Sequence, residues 1–250
     1  MDFLTIVALV GFGVVVAAYG TVIGAGGGFI LIPGLVLLFD LDGVEAVGTG
    51  ALTLAAIGIG GARTYDRAGL VDRPAAGRFV LGSVPVAFLC GTLLAGRIDS
   101  EVLIDLLGIL LLVLAVFVLT MPTAYETSGE PHPRSLTWMP AGGTVVGFLG
   151  GTFAIGGGLV TLPFIGRLRH LDPHRAAATT AATAMASSLA SSAGHTIASN
   201  VVWSHVAVLV PSALVGSTLG AAHAGRLAPR VVLALVAGGL MVAGIPLLLR

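Results

Sequence analysis

Ten apolar runs, separated by short charged or turn-rich breaks, take up nearly the whole chain. Eight of them, at 3–23, 44–62, 75–96, 102–120, 138–155, 176–197, 204–223 and 230–249, reach or approach the ~20 residues that cross a bilayer as a helix. The other two, 29–39 and 159–166, are too short for that. At ~1.5 Å per residue they reach only roughly 12–17 Å. Just 10% of the 250 residues are charged and 56% are hydrophobic. Soluble domains carry about 25% charge, and a chain this short has no core large enough to absorb the apolar remainder. The pattern predicts an all-α polytopic membrane protein of eight long hydrophobic helices plus two short ones, in contact with the lipid bilayer on its outer faces.

The same residues exclude several classes. Net charge is zero, so no basic field points to nucleic acid. All twelve basic residues are Arg, which removes Schiff-base and P-loop lysines together. The single cysteine, Cys90, lies in an apolar run and rules out an intrachain disulfide or a cysteine metal cluster. No HExxH, no GxSxG and no pair of intramembrane carboxylates occurs. No catalytic residue, metal site or cofactor is therefore expected, and the chain is not read as an enzyme. Met1-Asp2-Phe3 offers no basic region ahead of the first apolar run, so that run is kept as structure rather than as a cleaved signal.

The order long, short, long, long, long occurs twice. Gly26-Gly27-Gly28-Phe29 with Pro33 aligns without a gap on Gly156-Gly157-Gly158-Leu159 with Pro163. Asp42 and Asp172, Ala46 and Ala176, and Thr49 and Thr179 keep the same offset. After one deletion Ser83 meets Ser212, Gly91 meets Gly220, and Gly96-Arg97 meets Gly225-Arg226. The chain divides into a repeat at 1–120, a polar linker at 121–137 and a second repeat at 138–250, integrated in one membrane domain. Duplication of this kind is characteristic of secondary transporters.

Arginine placement sets the expected orientation. If each long-short pair is a hairpin that enters and leaves on one side, the loops at 63–78, 121–137, 167–175 and 226–230 share a side and hold ten arginines. Arg97 and Arg250 lie opposite. If each pair crosses once as a broken helix, the division is six against six. The positive-inside rule selects the hairpins, with both termini outside and the halves inverted.

Glycine triplets between a long and a short helix interrupt the backbone at membrane depth, where irregular chain is tolerated only inside protein or beside water. The short helices start there, and their free N–H groups carry partial positive charge. Two such tips approaching from opposite faces make an anion site without a buried cationic side chain. The expected substrate-binding residues are Gly26, Gly27, Gly28, Phe29, Thr49, Gly156, Gly157, Gly158, Leu159 and Thr179. Thr180, Thr183, Ser187, Ser191 and His195 fall roughly on one helical face; the hydroxyls either line the pathway or bond back to the helix and its neighbours, and His195 is either interfacial near the helix end or a protonatable group on the path. Their first-half equivalents are sparse: Thr49, Thr53 and Tyr65. Arg63-Thr64-Tyr65-Asp66-Arg67, with Asp72 and Arg73, reads as a solvated cytoplasmic loop that fixes topology or, alternatively, as a cluster that steers anions to an inner mouth.

Gly24-Ala25-Gly26-Gly27-Gly28-Phe29 with Pro33, Ala46-Val47-Gly48-Thr49, the loop Tyr65-Asp66-Arg67-Ala68-Gly69-Leu70-Val71-Asp72, and Gly156-Gly157-Gly158 with Pro163 resemble the TauE/SafE family, also called the sulfite exporter or TSUP family. The likeness spans nearly the whole chain. It implies a plasma-membrane transporter, an exporter by the family's name, for small sulfur-containing anions such as sulfite, sulfoacetate or related sulfonates. The leading expectation is a secondary transporter of a small oxyanion working by alternating access, coupled to a proton or another ion. An anion channel and a membrane scaffold or assembly protein are the alternatives. The sequence assigns neither the coupling ion nor the oligomeric state.

Overall fold

A computed structural model describes residues 1–24, 26–120, 135–223 and 229–250. Ala25, most of the linker, and Arg134, Gly225 and Arg226 therefore lie outside the described residues. The described chain is helical, with no strand: α1 (Phe3–Val22), α2 (Gly28–Phe39), α3 (Gly43–Arg67), α4 (Arg73–Leu89), α5 (Ser100–Leu119), α6 (Ser135–Phe153), α7 (Gly158–Arg169), α8 (Pro173–Ile197), α9 (Trp203–His223) and α10 (Pro229–Leu249). Each apolar run corresponds to one helix. The run at 75–96 differs in detail: α4 stops at Leu89 and continues as a wide π turn, Cys90–Leu94, and a 3-10 turn, Ala95–Arg97. A Cβ on Gly91 in that turn would sit 2.8 Å from the Ser191 carbonyl. The wider turn lies against α8.

Five spans, α1, α3, α4 extended to Leu94, α5 and α9, are long and apolar enough to cross a membrane by length and composition. The 25-residue α8 matches α3 in length, but its Ser and Thr residues dilute its hydropathy. Large apolar side chains such as Phe3, Leu81, Val242 and Leu249 cover the outside, while most of the Ser and Thr hydroxyls of α8 are buried. Burying hydroxyls under an apolar exterior is the arrangement a lipid solvent favours, because lipid satisfies no hydrogen bond.

The offset that aligns the two glycine triplets also runs through the backbone. All ten described residues with left-handed φ fall into five pairs at that spacing: Gly24 and Ala154, Gly26 and Gly156, Gly27 and Gly157, Asp40 and His170, Gly69 and Ser199. The helices α2 and α7 have equal lengths, as do α3 and α8, and the members of each pair start at equivalent positions of the repeat.

α3 and α8 form the centre and run antiparallel. Gly48 packs on Asn200, Gly58 on Met185, and a Cβ on Gly61 would lie 3.8 Å from that of Ala181. The outer pairs run parallel. Along α6, Gly143, Gly147 and Gly151 meet the α4 backbone at Phe79, Ser83 and Ala87, and along α9, Gly216 and Gly220 meet α1 at Val14 and Ala18. Each short helix folds back along its long partner. Phe39 at the end of α2 stacks on Phe12 of α1, with ring centroids 5.5 Å apart, and Phe164 of α7 packs against Gly142 of α6.

Gly147 and Gly150 provide a matched test of this packing. A Cβ on Gly147 would come within 2.9 Å of the Ser83 Cα, whereas one on Gly150, a turn away on α6, meets nothing within 4 Å. Gly147→Ala should destabilise the detergent-solubilised protein by about 1–3 kcal/mol, read as a lower thermal midpoint. Gly150→Ala should leave the midpoint unchanged or raise it, since Ala favours helix over Gly by about 1 kcal/mol. Equal behaviour of the two would contradict the α4–α6 contact.

Candidate functional site

Five helices begin on an aspartate whose carboxylate accepts first-turn N–H groups: Asp2, Asp42, Asp72, Asp99 and Asp172 cap α1, α3, α4, α5 and α8. The two short helices do otherwise. α2 and α7 start on Gly27 and Gly157, at φ 80° and 64°, with no side-chain cap. Glycine takes that conformation at no steric cost, and among other residues Asn and Asp tolerate it best. Helices leave their first N–H groups without intrahelical acceptors, so both tips keep donors and the positive end of the helix dipole. An aspartate there would neutralise both.

The tips touch. A Cβ on Gly28 would lie 2.8 Å from the Ile155 Cα, and one on Gly26 3.9 Å from the Gly156 Cα. Beside them is a cavity of about 30 Å³. Gly20, Thr21, Gly24 and Gly26 line it from the first tip, and Gly156 and Gly158 from the second. Leu54, Ile57, Gly58, Gly61 and Tyr65 of α3 and Thr180, Ala181, Ala184 and Ser188 of α8 complete the wall. The tips thus lie beside the middle stretches of the two central helices. Among the described residues, no charged side chain lines the cavity.

Tyr65 and Thr180 are buried, and their hydroxyls have no hydrogen-bond partner. Thr152 is the third described residue with such an atom. Of the residues singled out in the sequence, Gly26, Gly156, Gly158 and Thr180 meet at the cavity. Gly27, Gly28, Gly157 and the buried Phe29 and Leu159 form the hairpin turns around it. The sequence places Tyr65 in a solvated loop, yet it is 5% exposed and faces inward. The repeat offset, which pairs Tyr65 with His195, is the signal that finds it.

Thr49 and Thr179 lie elsewhere and carry other bonds. The Thr179 hydroxyl accepts the Asp72 N–H at 2.9 Å and donates to the Arg175 carbonyl at 2.7 Å. The Thr49 hydroxyl accepts the Val202 N–H at 3.0 Å. Each pins the loop that follows the opposite central helix, in equivalent positions of the two halves. Thr183, Ser187, Ser191 and His195 form a second group away from the cavity. The Ser187 hydroxyl is 2.7 Å from that of Ser83, Ser191 donates to the Gly150 carbonyl, and Thr183 donates to the Thr180 carbonyl. His195 is fully buried, neither interfacial nor on the cavity wall. Its Nε2 sits 3.0 Å from the Gly151 carbonyl, so that nitrogen carries the proton. Ser187 thus joins α8 to α4, and Ser191 and His195 join it to α6.

Asp72 is the one charged residue buried among those described. It caps α4 and meets Arg169 at 2.9 Å, and Arg169 also reaches Ser135. This ties the α3–α4 and α7–α8 loops together at one end of the molecule. At the other end Ser100 binds Asp42, and Arg250 reaches Glu101 and Asp105.

The sequence profile described as Sulfite exporter TauE/SafE matches residues 9–247. The chain is 28% identical over 242 residues to the probable membrane transporter protein YunE of Bacillus subtilis (strain 168), covering 88% of each chain. It is 29% identical over 175 residues to a probable membrane transporter protein of Methanocaldococcus jannaschii, covering 67% of this chain and 63% of that one. A probable membrane transporter protein of Haemophilus influenzae is 29% identical over 150 residues, 57% of this chain and 55% of its own. No solved structure matches. With a family match across almost its whole length and a multi-pass helical architecture, the chain belongs to the TauE/SafE sulfite-exporter family of membrane transport proteins.

Proposed function

We propose that this chain is a secondary transporter of a small oxyanion, of the sulfite or organosulfonate class, which it binds at the two glycine tips and moves by alternating access. The observation that carries this reading is the pair of uncapped helix starts, brought together in a protein that caps five other helices with aspartate. Convergent backbone donors and two helix dipoles suit a small anion, and the lack of a cation on the described cavity wall suits release. Binding energy held in fixed dipoles needs no counter-charge that would trap the substrate.

The reading includes eight long helices in two inverted halves, related by a two-fold axis in the membrane plane. Support comes from the antiparallel α3 and α8, the hairpins α1–α2 and α6–α7, and the five pairs of left-handed residues. Such a scaffold lets one half rock against the other around a fixed site. A scaffold or assembly protein has no use for interrupted helices meeting at mid-depth. A channel is separated from a carrier by kinetics: uptake of labelled sulfite into proteoliposomes should saturate and show counterflow. Currents that rise linearly with voltage would instead favour the channel. A proton gradient imposed across the same liposomes tests coupling.

The end that holds the α3–α4 and α7–α8 loops also carries Arg63, Arg67, Arg73, Arg78, Arg167, Arg169 and Arg175, and we place it in the cytoplasm of a plasma-membrane protein, with both termini outside. In a Cys90→Ser background, cysteines at the exposed Arg67 and Arg175 should resist a membrane-impermeant maleimide in intact cells, and one at Arg97 should react. Labelling of the first two with protection of the third would invert the assignment.

Charge at the tip gives the direct test of the site. Gly26 has φ 83°, and its Cβ position is open, with Gly156 Cα 3.9 Å away. Asn and Asp both tolerate this backbone and have equal size, so they differ in charge alone. At about 4 Å and an effective dielectric of about 20, like charges repel by about 4 kcal/mol. Gly26→Asp should weaken sulfite transport at least ~100-fold relative to Gly26→Asn, with equal expression. Two variants with the same activity would make the tips packing elements.

A further inference from the structure

We infer that Tyr65 and Thr180 form a side-chain subsite for the transported anion, each donating its unpartnered hydroxyl to one of the anion's oxygens. The inference rests on the anion-transport reading above and adds the groups that choose among anions.

Buried hydroxyls in a membrane protein ordinarily find a partner, most often a carbonyl of their own helix. This chain follows that habit. Thr21, on the cavity wall, donates to the Ala17 carbonyl at 2.8 Å. On α8, Thr179, Thr183, Ser192 and Thr196 donate to carbonyls three or four residues back. Thr180, among them on the same helix and 1% exposed, does not. Tyr65, from the facing helix, lines the same cavity and also stands without a partner. Two such exceptions on one 30 Å³ cavity, beside two uncapped helix starts, mark donors held for a ligand.

The duplication supplies an internal control. At the spacing that aligns the glycine triplets, Tyr65 corresponds to His195 and Thr180 to Gly50. His195 is satisfied by the Gly151 carbonyl and approached by the Asn200 amide. Gly50 has no side chain to satisfy, and the Ile32 side chain packs onto it. The equivalent place in the other half is closed and internally bonded. Of these two pairs of positions, only the members on the cavity wall carry unsatisfied donors, so the donors are not a by-product of the repeated fold.

The wall chemistry limits the ligand. It offers hydroxyl and backbone donors, no carboxylate and no cation among the described residues, which suits an anion with at least two oxygens able to accept. The cavity is small, which favours a compact inorganic oxyanion such as sulfite over one with a carbon tail. Neutral donors also bind less tightly than an arginine would, as turnover requires.

Thermal unfolding of the purified, detergent-solubilised chain tests this, with sulfite, sulfate and sulfoacetate titrated against wild type, Tyr65→Phe, Thr180→Val and Thr180→Ser. Sulfite should raise the wild-type midpoint, with weaker effects from sulfoacetate. Tyr65→Phe and Thr180→Val should each need at least ~10-fold more sulfite for half the effect, the loss expected for one hydrogen bond to a charged group. Thr180→Ser should behave like wild type. Without anion, the Phe and Val variants should be at least as stable as wild type, because their hydroxyls have no protein bond to lose. Wild-type stabilisation that both variants reproduce at the same concentrations overturns the subsite and leaves the transport reading standing. Variants less stable without anion, with unchanged half-effect concentrations, would make the hydroxyls structural and equally overturn it. A wild-type midpoint insensitive to all three anions would overturn both.

Discussion

Peptide groups inside a hydrocarbon layer must find partners within the protein, at a cost of several kcal/mol for each that does not. A continuous helix meets this requirement; a chain reversal does not. This chain makes that reversal twice, after α1 and after α6, and encloses each turn with the other. The close approach of Gly28 to Ile155 and of Gly26 to Gly156 shields both turns from lipid at once. α3 and α8 cross beside them, and the glycine-lined parallel contacts of α4 with α6 and α1 with α9 let the remaining helices close around the pair. Two turns that are costly singly become a shared interior with donors facing inward.

The helix caps show the same logic at finer scale. Aspartate at Asp2, Asp42, Asp72, Asp99 and Asp172 satisfies helix starts at the ends of the molecule, where water is near. At the tips a carboxylate would be buried, and glycine with left-handed φ takes its place. The polar residues of α8 divide into two sets. Thr180 lines the cavity, while Ser187, Ser191 and His195 hold the helix to its neighbours and Thr183 bonds within it.

Much of this was legible in the sequence, for identifiable reasons. Run length against bilayer thickness located the ten helices, and the repeat offset, with one deletion, carried the second half onto the first, down to Asp40 and His170 at equivalent helix ends. The glycine triplets announced the hairpins because few other sequences make such a turn. The rest depended on which face of a helix meets which neighbour. Helical spacing put Thr180 on a face with Thr183 and Ser187, though the Thr180 hydroxyl has no partner, Thr183 bonds within α8 and Ser187 reaches Ser83 of α4. Tyr65 sits between Thr64 and Asp66 in a stretch whose charges read as solvated loop, yet its ring packs beside Ala178 and Ala221. Thr49 and Thr179 resemble ligands in the sequence because they follow the glycine motifs in both halves. Their repeated spacing instead serves the loops after the central helices, at Val202 and Asp72. The π turn at Cys90 packs against α8 and has no local signal.

The central claim is that the halves oppose one another, so that the two tips meet. Disulfide formation in the membrane reads this directly. Gly61 and Ala181 place their Cβ positions 3.8 Å apart across the antiparallel α3–α8 crossing, which is the separation a disulfide needs. With Cys90 replaced by Ser, Gly61→Cys paired with Ala181→Cys should cross-link rapidly under mild oxidation, seen as a mobility shift reversed by reductant. Gly61→Cys paired with Ser191→Cys, the partner that parallel helices would bring opposite, should not. Cross-linking of the second pair in preference to the first would contradict the inverted arrangement and, with it, the shared site between the tips.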